Sequence, residues 1–253
     1  MDVRGKAAIV TGSATGVGRE TALALARLGC DVLINYSRSA EEAEQTAADV
    51  RALGVRTLAV KADVARDAEC RAMVEAAVKA FGRVDVLVNN AGTTSFISHA
   101  DLDAVTDDDW QRIMSVNLQG PFQCVRAARS ALEARGSGCV VNVSSIAGIR
   151  AIGSSIPYCA SKAALNNLTL TLARALGPSI RVNAVAPGFI RGRWLKGGYG
   201  DNYDMIEQLA SARSVLKKVC DPEDVATAIL GFLAADLVTG QVLVVDGGMT
   251  IHQ

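Results

Sequence analysis

Tyr158 and Lys162 stand four residues apart, a spacing that places both side chains on one face if the segment is helical. A tyrosine hydroxyl has a pKa of about 10, but a nearby ammonium group stabilises the phenolate and lowers that pKa. Such a pair is able to give and take a proton near neutral pH. The spacing alone is more typical of an ordinary helix surface, so the chemistry depends on what the fold places beside it.

Two serines, Ser144 and Ser145, follow the predicted strand Cys139–Val143. Open α/β sheets bind their ligands at the carboxyl ends of the strands, so a hydroxyl here is able to hold a substrate oxygen. Serines at strand ends also cap turns. From the residues alone, the two roles and the two serines stay open.

A glycine-rich turn joins the predicted strand Ala7–Val10 to the predicted helix Gly16–Leu28. It reads Thr11-Gly12-Ser13-Ala14-Thr15-Gly16-Val17-Gly18. Glycines allow a sharp turn and a close approach to a pyrophosphate, and the free N–H groups and dipole of the helix start favour negative charge. The turn therefore predicts dinucleotide binding, although similar turns also serve packing alone.

The end of the second predicted strand, Asp31–Tyr36, favours NADP(H) over NAD(H). Enzymes that use NAD tend to place an acidic residue there for the ribose hydroxyls, and Asn35-Tyr36-Ser37-Arg38 contains none. Arg38 and Ser37 are able to bind the 2′-phosphate of NADP, unless Arg38 is simply a solvated loop cation. NAD(H) stays the alternative cofactor.

Short strands alternate with helices along the whole chain. Further strands are predicted at Thr57–Lys61, Val84–Val88, Ile180–Val185 and Gln241–Val245. Further helices are predicted at Ser39–Leu53, Asp67–Ala80, Asp107–Ala134, Tyr158–Leu176 and Pro222–Ala234. This alternation predicts a single α/β domain over residues 1–253, a Rossmann-type doubly wound fold with a seven-stranded parallel sheet and helices on both faces.

Two local features refine this prediction. Ser39 and Glu42 have the spacing of a capping box, in which each side chain bonds to the backbone at the start of a helix. Residues 189–216 are rich in glycine and show a weak pattern. We expect them to form an irregular substrate-binding loop, because long irregular segments in a compact domain usually carry function.

Composition excludes several classes of protein. Lys plus Arg and Asp plus Glu are 26 each, so no basic excess indicates nucleic acid or an anionic membrane. The apolar runs are strand-sized and the first residues lack an apolar signal segment, so neither membrane insertion nor export is expected. Six scattered cysteines indicate reduced thiols and a cytoplasmic protein. His99 and His252 lack ligand spacing, so no metal is expected.

Several motifs occur in one order along the chain. They are Thr11-Gly12, Gly16-Val17-Gly18, Asn89-Asn90-Ala91-Gly92, Asn117, Ser145, Tyr158-Cys159-Ala160-Ser161-Lys162, Pro187-Gly188 and Asp246-Gly247-Gly248. Together they resemble the short-chain dehydrogenase/reductase family over essentially the whole chain, in the branch that includes 3-oxoacyl-carrier-protein reductases and glucose dehydrogenases. The resemblance implies hydride transfer between a nicotinamide and a carbonyl or secondary alcohol.

The resemblance also implies catalytic roles. Ser145, which lies 13 residues before Tyr158, would hold and polarise the substrate oxygen, and Ser144 would not. Tyr158 would be the general acid in reduction and the base in oxidation, while Lys162 would lower its pKa and hold the nicotinamide ribose. Asn117 resembles the residue that holds a water in a proton relay.

A set of cofactor contacts follows from the same resemblance. Asp63 would bind the adenine amine beside a backbone contact from Val64, and Ile190 would donate to the carboxamide. The implied cofactor residues are Gly12, Ser13, Thr15, Gly16, Val17, Gly18, Tyr36, Ser37, Arg38, Asp63, Val64, Asn90, Ala91, Gly92, Tyr158, Lys162, Pro187, Gly188 and Ile190.

Two positions depart from the family pattern. Gly192 stands where a threonine hydroxyl usually binds the carboxamide, and its loss should weaken cofactor binding by about 0.5–1.5 kcal/mol. Thr15 stands where many NADP-dependent members have a cation.

Near Trp194, the cations Arg191, Arg193 and Lys196 would either meet an anionic substrate or solvate a mobile loop. Cys159, one residue after Tyr158, points away from it and is expected to serve packing.

We therefore predict an NADP(H)-preferring oxidoreductase with a tyrosine acid–base mechanism and a small carbonyl or alcohol substrate. An NAD-dependent alcohol, sugar or steroid dehydrogenase is the alternative. An inactive dinucleotide-binding module is a third reading, but it would be expected to have a damaged Ser-Tyr-Lys set, and all three residues are present. The resemblance also implies a homotetramer or homodimer, joined through the two long helices and the last strand with the helix before it.

Overall fold

A single parallel sheet organises the protein in the computed structural model, which describes residues 1–251. Within that range, seven strands lie in the order β3-β2-β1-β4-β5-β6-β7. They are β1 (Ala7–Val10), β2 (Asp31–Tyr36), β3 (Thr57–Lys61), β4 (Val86–Asn89), β5 (Gly138–Val143), β6 (Ile180–Pro187) and β7 (Val242–Val245). The predicted Rossmann-type α/β fold is confirmed.

Helices cover both faces of this sheet. They are α1 (Gly16–Arg27), α2 (Ala40–Ala52), α3 (Asp67–Phe81), α4 (Asp107–Met114), α5 (Gly120–Glu133), α6 (Ala147–Arg150), α7 (Ile156–Leu176), α8 (Arg193–Tyr199), α9 (Tyr203–Arg213) and α10 (Pro222–Ala234). Helices α1, α2 and α10 enclose one apolar core, and α3, α5 and α7 enclose the other.

The strands are apolar because both of their faces are covered. In β1, Ala8 and Val10 pack into one core, while Ala7 and Ile9 pack into the other. Successive side chains of a strand point to opposite faces, so a strand between two helical layers must be apolar at every position. All four residues of β1 are fully buried as a result.

The strand order reverses between β1 and β4. The chain runs outward from β1 to β3, returns to β4 on the other side of β1, and continues to β7. The loops after β1 and β4 therefore leave in opposite directions and open a crevice at the carboxyl edge of the sheet. Ligands of open α/β folds bind in such a crevice.

The predicted long helix at Asp107–Ala134 is interrupted. Residues Ser115–Gln119 form a π-helical segment between α4 and α5. Pro121 has no N–H to donate to the carbonyl of Asn117 four residues before it, so a regular α-helical ladder cannot pass this point. A π segment accommodates the break and sets Asn117 apart from its neighbours.

The prediction of an irregular loop at residues 189–216 is wrong in its structure. Most of the segment is helical, as α8 and α9 joined by the 3₁₀ turn Gly200–Asn202. The amphipathic signal of α9 is weak because Tyr203 is its only buried residue, although it is otherwise rich in good helix formers. The other element boundaries agree with prediction within two residues.

The predicted capping box of α2 is absent. Ser39 makes no capping bond to the helix. Its Oγ accepts a hydrogen bond from Arg193 Nη2 at 3.1 Å, and Glu42 pairs with Arg193 Nη1 at 2.5 Å. A charged guanidinium competes well for these oxygens because charge-assisted hydrogen bonds are the stronger ones. The contact ties α8 to the start of α2.

Candidate active site

A cleft of about 1250 Å³ lies along the carboxyl ends of the strands. The sequence-predicted site residues that line it are Gly12, Thr15, Gly16, Val17, Ser37, Arg38, Asp63, Val64, Asn90, Ala91, Gly92, Ser145, Tyr158, Lys162, Pro187, Gly188 and Ile190. The fold therefore brings most of the expected residues, which span the sequence from position 12 to position 190, to one place.

Three of the expected cofactor residues do not line the cleft. Ser13 is fully buried, and its Oγ donates to Val10 O at 2.6 Å and accepts from Asn35 N at 3.0 Å, so it has no hydrogen to offer a phosphate. The Tyr36 side chain packs against the core under α1 and α2. Gly18 serves packing, because a Cβ there would lie 2.5 Å from Asn90 Nδ2. The roles of these three residues in cofactor binding stay predictions.

The glycine turn has the backbone that phosphate binding requires. Gly12 and Gly16 have φ angles of 61° and 57°, which favour glycine. A Cβ on Gly12 would lie 2.9 Å from the Cα of Ala91, whereas a Cβ on Gly16 would meet nothing within 4 Å. The Gly16 side of the turn is thus open to a ligand.

Asn35 holds this turn in place and was missed by the sequence reasoning as a site residue. Its Oδ1 accepts from Gly12 N at 3.0 Å, and its Nδ2 donates to Ala62 O at 3.0 Å. The side chain thereby links the turn after β1 to the end of β3. The available signal was a polar residue inside the otherwise apolar strand β2.

The cleft fits a dinucleotide. The N-cap residue of α1, Thr15, makes no side-chain bond to the helix, so the first N–H groups of α1 are not capped by it. Arg38 and Ser37 are exposed and line the cleft beside the end of β2. Asp63, also in the cleft, is held in place by a bond from Ala65 N to its Oδ1 at 3.0 Å.

The structure separates the two serines after β5. Ser144 is buried and donates to Asn166 Oδ1 at 2.5 Å, which makes it a structural residue. Ser145 lies in the cleft, and its Oγ accepts from Ala147 N at 3.1 Å, which leaves its own hydrogen available. Its geometry suits a group that donates to a substrate oxygen.

The first turns of α7 position Tyr158 and Lys162. The helix begins after Ser155, whose Oγ accepts from Tyr158 N at 3.4 Å. Lys162 is buried, and its Nζ donates to Val143 O at 2.8 Å and lies 5.7 Å from the centroid of the Tyr158 ring. The lysine thus joins the end of β5 to the tyrosine across one turn of helix.

Desolvation sets the pKa values of Tyr158 and Lys162 here, and the expected lowering of the tyrosine pKa by Lys162 stays a prediction. Burial raises the pKa of Tyr158 to about 12, and the Ser145 hydroxyl opposes this rise only in part. Burial also lowers the pKa of Lys162 to about 8. Desolvation disfavours the charged form of each group, so both are held closer to neutrality than in water. Tyr158 is therefore a proton donor at neutral pH.

Asn117 is fully buried in the π segment and does not line the cleft. Its Oδ1 accepts from Thr93 N at 2.8 Å, and its Nδ2 donates to Thr93 O at 2.9 Å and to Ser161 Oγ at 3.0 Å. Ser161 Oγ donates in turn to Tyr158 O at 2.7 Å. The Asn117 side chain therefore ties the loop after β4 to the helix that carries Tyr158. No sequence signal indicated Thr93 or Ser161 as partners of Asn117.

The cations near Trp194 do not form a free anion site. Arg191 pairs with Glu207 at 2.6 Å and with Asp221 at 3.0 Å. Arg193 pairs with Glu42 as described above, and Lys196 Nζ lies 5.2 Å from the centroid of the Tyr203 ring. Carboxylates thus already pair with both arginines, and the hypothesis that these cations meet an anionic substrate stays a prediction.

Gly192 has a conformational role of its own. Its φ angle of 152° lies in a region that side chains rarely adopt, and it is the N-cap residue of α8. A threonine at this position would have to change the backbone. Gly192 therefore suits the backbone at the start of α8.

Other candidate chemistry is limited. Within residues 1–251, no group of three or more His, Cys, Asp or Glu side chains is placed to hold a metal ion; His252 lies outside the described residues. Cys159 is buried, its pKa is raised by burial, and its Sγ lies 3.9 Å from His99 Nε2, which agrees with a packing role. No helix in the described part of the chain has the length and apolarity to cross a membrane.

The chain matches the family model described as enoyl-(acyl carrier protein) reductase over residues 12–250. It is 46% identical over 241 residues to a protein designated ketoacyl reductase 2 of the granaticin polyketide synthase from Streptomyces violaceoruber, with 95% of this chain and 94% of that protein covered. It is 38% identical to a 3-oxoacyl-(acyl-carrier-protein) reductase from Staphylococcus epidermidis, with 96% and 98% covered. The fold matches that of a short-chain dehydrogenase/reductase from Burkholderia xenovorans with a TM-score of 0.90, 38% identity, and 97% and 98% of the two chains covered.

Proposed function

The chain belongs to the short-chain dehydrogenase/reductase family, an oxidoreductase family that uses nicotinamide nucleotides, and from this premise we propose that it is an NADP(H)-preferring ketoreductase. The observation that carries the proposal is the meeting of Ser145, Tyr158 and Lys162 at the end of β5, inside the cleft that fits a dinucleotide. Ketoacyl and 3-oxoacyl reductases among its relatives support a 3-oxoacyl-like carbonyl substrate.

The three side chains have separate tasks in this proposal. A bound nicotinamide would supply the hydride to the carbonyl carbon or accept it from the alcohol. Ser145 donates a hydrogen bond to the substrate oxygen and holds it beside the Tyr158 hydroxyl. Tyr158 gives its proton to that oxygen as charge develops there. The Lys162 ammonium, 5.7 Å from the ring centroid, favours the negative charge that forms on Tyr158.

The protonated Tyr158 hydroxyl suits the role of general acid in reduction. A hydroxyl with a pKa of about 12 is almost fully protonated at pH 7 and is ready to act as an acid. Oxidation would require the phenolate, which is scarce at that pH. Asn117 contributes indirectly by fixing α7 against the loop after β4, and we propose that it also orders water for proton return.

Cofactor affinity tests the preference for NADP(H). Arg38 and Ser37 stand exposed in the cleft after β2, where a 2′-phosphate would need a cation and a hydrogen-bond donor. NADPH and NADH should be titrated against the wild type and Arg38→Ala. We expect NADPH to bind at least about tenfold tighter, or about 1.4 kcal/mol, and Arg38→Ala to remove that margin without weakening NADH.

The matched control is Arg51→Ala, an exposed arginine at the end of α2 outside the cleft, which should leave both affinities unchanged. Equal or tighter binding of NADH would instead favour an NAD-dependent alcohol or sugar dehydrogenase. Tyr158→Phe should bind NADPH normally but lose reduction of a 3-oxoacyl thioester. If that variant kept its activity, the tyrosine mechanism would be rejected.

We also propose a cytoplasmic homotetramer. All six cysteines are free and buried, which agrees with a reducing compartment. Phe122 on α5, Leu170 on α7 and Leu243 on β7 are exposed apolar residues on the elements expected to join subunits. Sedimentation velocity should give a mass near four chains, and a monomer at micromolar concentration would contradict the assembly.

A further inference from the structure

Aromatic residues are concentrated at the substrate end of the cleft. The chain has only eleven of them (two Trp, four Tyr and five Phe). Five line the cleft: Phe96, Tyr158, Phe189, Trp194 and Tyr199. They come from the loop after β4, from α7, from the segment after β6 and from α8. Separate elements thus deliver flat apolar surfaces to one place in a chain that is otherwise poor in them.

Trp194 stands next to the reacting group. Its ring centroid lies 6.3 Å from that of Tyr158, with the two rings nearly perpendicular at 89°. On its other side, its Cη2 would lie 3.7 Å from a Cβ built on Gly92. The indole therefore lies between the catalytic tyrosine and the loop after β4, where it would border a substrate held by Ser145. It is also nearly half exposed, so it has free surface to offer.

Phe96 and Phe189 extend this surface through Tyr199. The rings of Phe96 and Tyr199 are 5.2 Å apart in an edge-to-face arrangement, and those of Phe189 and Tyr199 are 6.4 Å apart and nearly parallel. Phe96 fits only because residue 198 is glycine, since a Cβ there would lie 2.0 Å from Cζ of Phe96. The wall is thus a set of mutually oriented rings rather than a loose apolar lining.

Several polar groups beside the same wall already bond to one another. Thr94 Oγ1 and Ser154 Oγ bond to each other at 2.6 Å. Arg112 donates to Thr93 Oγ1 at 2.7 Å and to Ser95 Oγ at 2.6 Å. A polyhydroxylated substrate needs free donors and acceptors at fixed positions, and these groups are directed at one another instead.

Resting on the function proposed above, we propose that this aromatic wall selects ketones that carry an aromatic ring one methylene away from the reacting carbonyl. In the reaction, a hydride from NADPH forms the new C–H bond, Tyr158 gives its proton to the oxygen, and the products are the secondary alcohol and NADP⁺. Tyr158 is reprotonated from solvent. Trp194 and Phe96 are the specificity-determining residues, because ring pairs in edge-to-face or offset contact are favoured beyond their apolar burial.

Two ketones that differ by one fused ring test the proposal. Reduction of 2-tetralone and of cyclohexanone by NADPH is measured for the wild type, Trp194→Leu, Phe96→Leu and Trp110→Leu. Trp110, the other tryptophan, lies outside the cleft and provides the matched control. NADPH affinity and thermal unfolding are measured for every variant, to separate a loss of selectivity from a loss of folding. Binding of the product 2-tetralol to the NADPH complex, in which no hydride transfer is possible, gives a readout independent of turnover.

We expect the wild type to prefer 2-tetralone by at least about tenfold in kcat/KM. Trp194→Leu and Phe96→Leu should each reduce that ratio roughly three- to tenfold and weaken 2-tetralol by a similar factor, with NADPH affinity unchanged. Trp110→Leu should match the wild type. Equal use of the two ketones, or an unchanged ratio in both wall variants, would overturn the selection.

A third substrate, a 3-oxobutanoyl thioester, distinguishes failure of this inference from failure of the proposed function. If the thioester is reduced and 2-tetralone is not, the aromatic selection is wrong and the ketoreductase stands. If no substrate is reduced although NADPH binds, the proposed function is wrong and the inference falls with it.

Discussion

Replacing Lys162 with methionine should stabilise the protein at pH 7 and destabilise it at high pH. Burial lowers the pKa of Lys162 from its ordinary value of 10.5 to about 8. The charged ammonium therefore destabilises the folded state relative to the unfolded state. A shift of that size corresponds to about 3 kcal/mol, because one pKa unit is about 1.36 kcal/mol. Below pH 8 both folded and unfolded chains carry the charge, and the full disadvantage applies.

This destabilisation decreases as pH rises from 8 to 10.5, because the folded chain loses the lysine proton before the unfolded chain does. Above pH 10.5 the lysine is neutral in both states and no longer destabilises the folded state. Methionine removes the charge but also the hydrogen bond from Nζ to Val143 O, which is worth about 2 kcal/mol when charged. The net effect at pH 7 is a gain of about 1 kcal/mol, or a rise in Tm of about 2–4 °C. At pH 10.5 or above the lost hydrogen bond dominates, and the variant should melt below the wild type.

Thermal unfolding of the wild type and Lys162→Met at both pH values is the assay. Lys79→Met, an exposed lysine on α3, is the control and should show no change of sign. If Lys162→Met melted below the wild type at pH 7 by the same margin as at pH 10.5, the ammonium would not be held at a disadvantage. The reasoning from its burial would then be refuted.

Three further predictions concern activity and cofactor binding. Because the pKa of Tyr158 is about 12, the rate of alcohol oxidation should rise about tenfold per pH unit between pH 7 and 9, and a pH–rate plateau in that range would contradict it. Gly192→Thr should weaken NADPH binding in a titration, because φ at this position disfavours a side chain. Tighter binding of NADPH by the variant would show that the threonine hydroxyl restores a missing contact. Arg193→Ala should release NADPH faster in stopped-flow fluorescence, because it frees α8 from Glu42, and an unchanged release rate would argue against that link.

The fold was predictable from the sequence because its signals are local, whereas the proposed catalytic residues were predictable only from the family resemblance. Apolar strands such as β1 indicate a sheet that is covered on both faces. The glycines of the turn after β1 indicate a backbone conformation that other residues rarely adopt. The choice between Ser144 and Ser145 needed the family resemblance, and the structure gives the physical reason through the bond from Ser144 to Asn166.

The errors arose where a distant partner decides the outcome. Nothing near Ser39 and Glu42 shows that Arg193, about 150 residues later, occupies their oxygens. Likewise, nothing in the sequence shows that Asn35 donates to the Ser13 hydroxyl, which itself donates to Val10 O.

The π segment at Ser115–Gln119 makes the site unusually sensitive to a change in chain length. Each residue advances a helix by about 100°, so deleting one residue here would rotate α4 against α5 by about that angle. Helix α4 buries only Ile113, so the sheet and both cores should survive the rotation. Asn117, however, would lose its position between Thr93 and Ser161. A deletion of one codon would thus be expected to give a folded protein whose tyrosine helix is no longer anchored, and this stretch should accept substitutions more readily than indels.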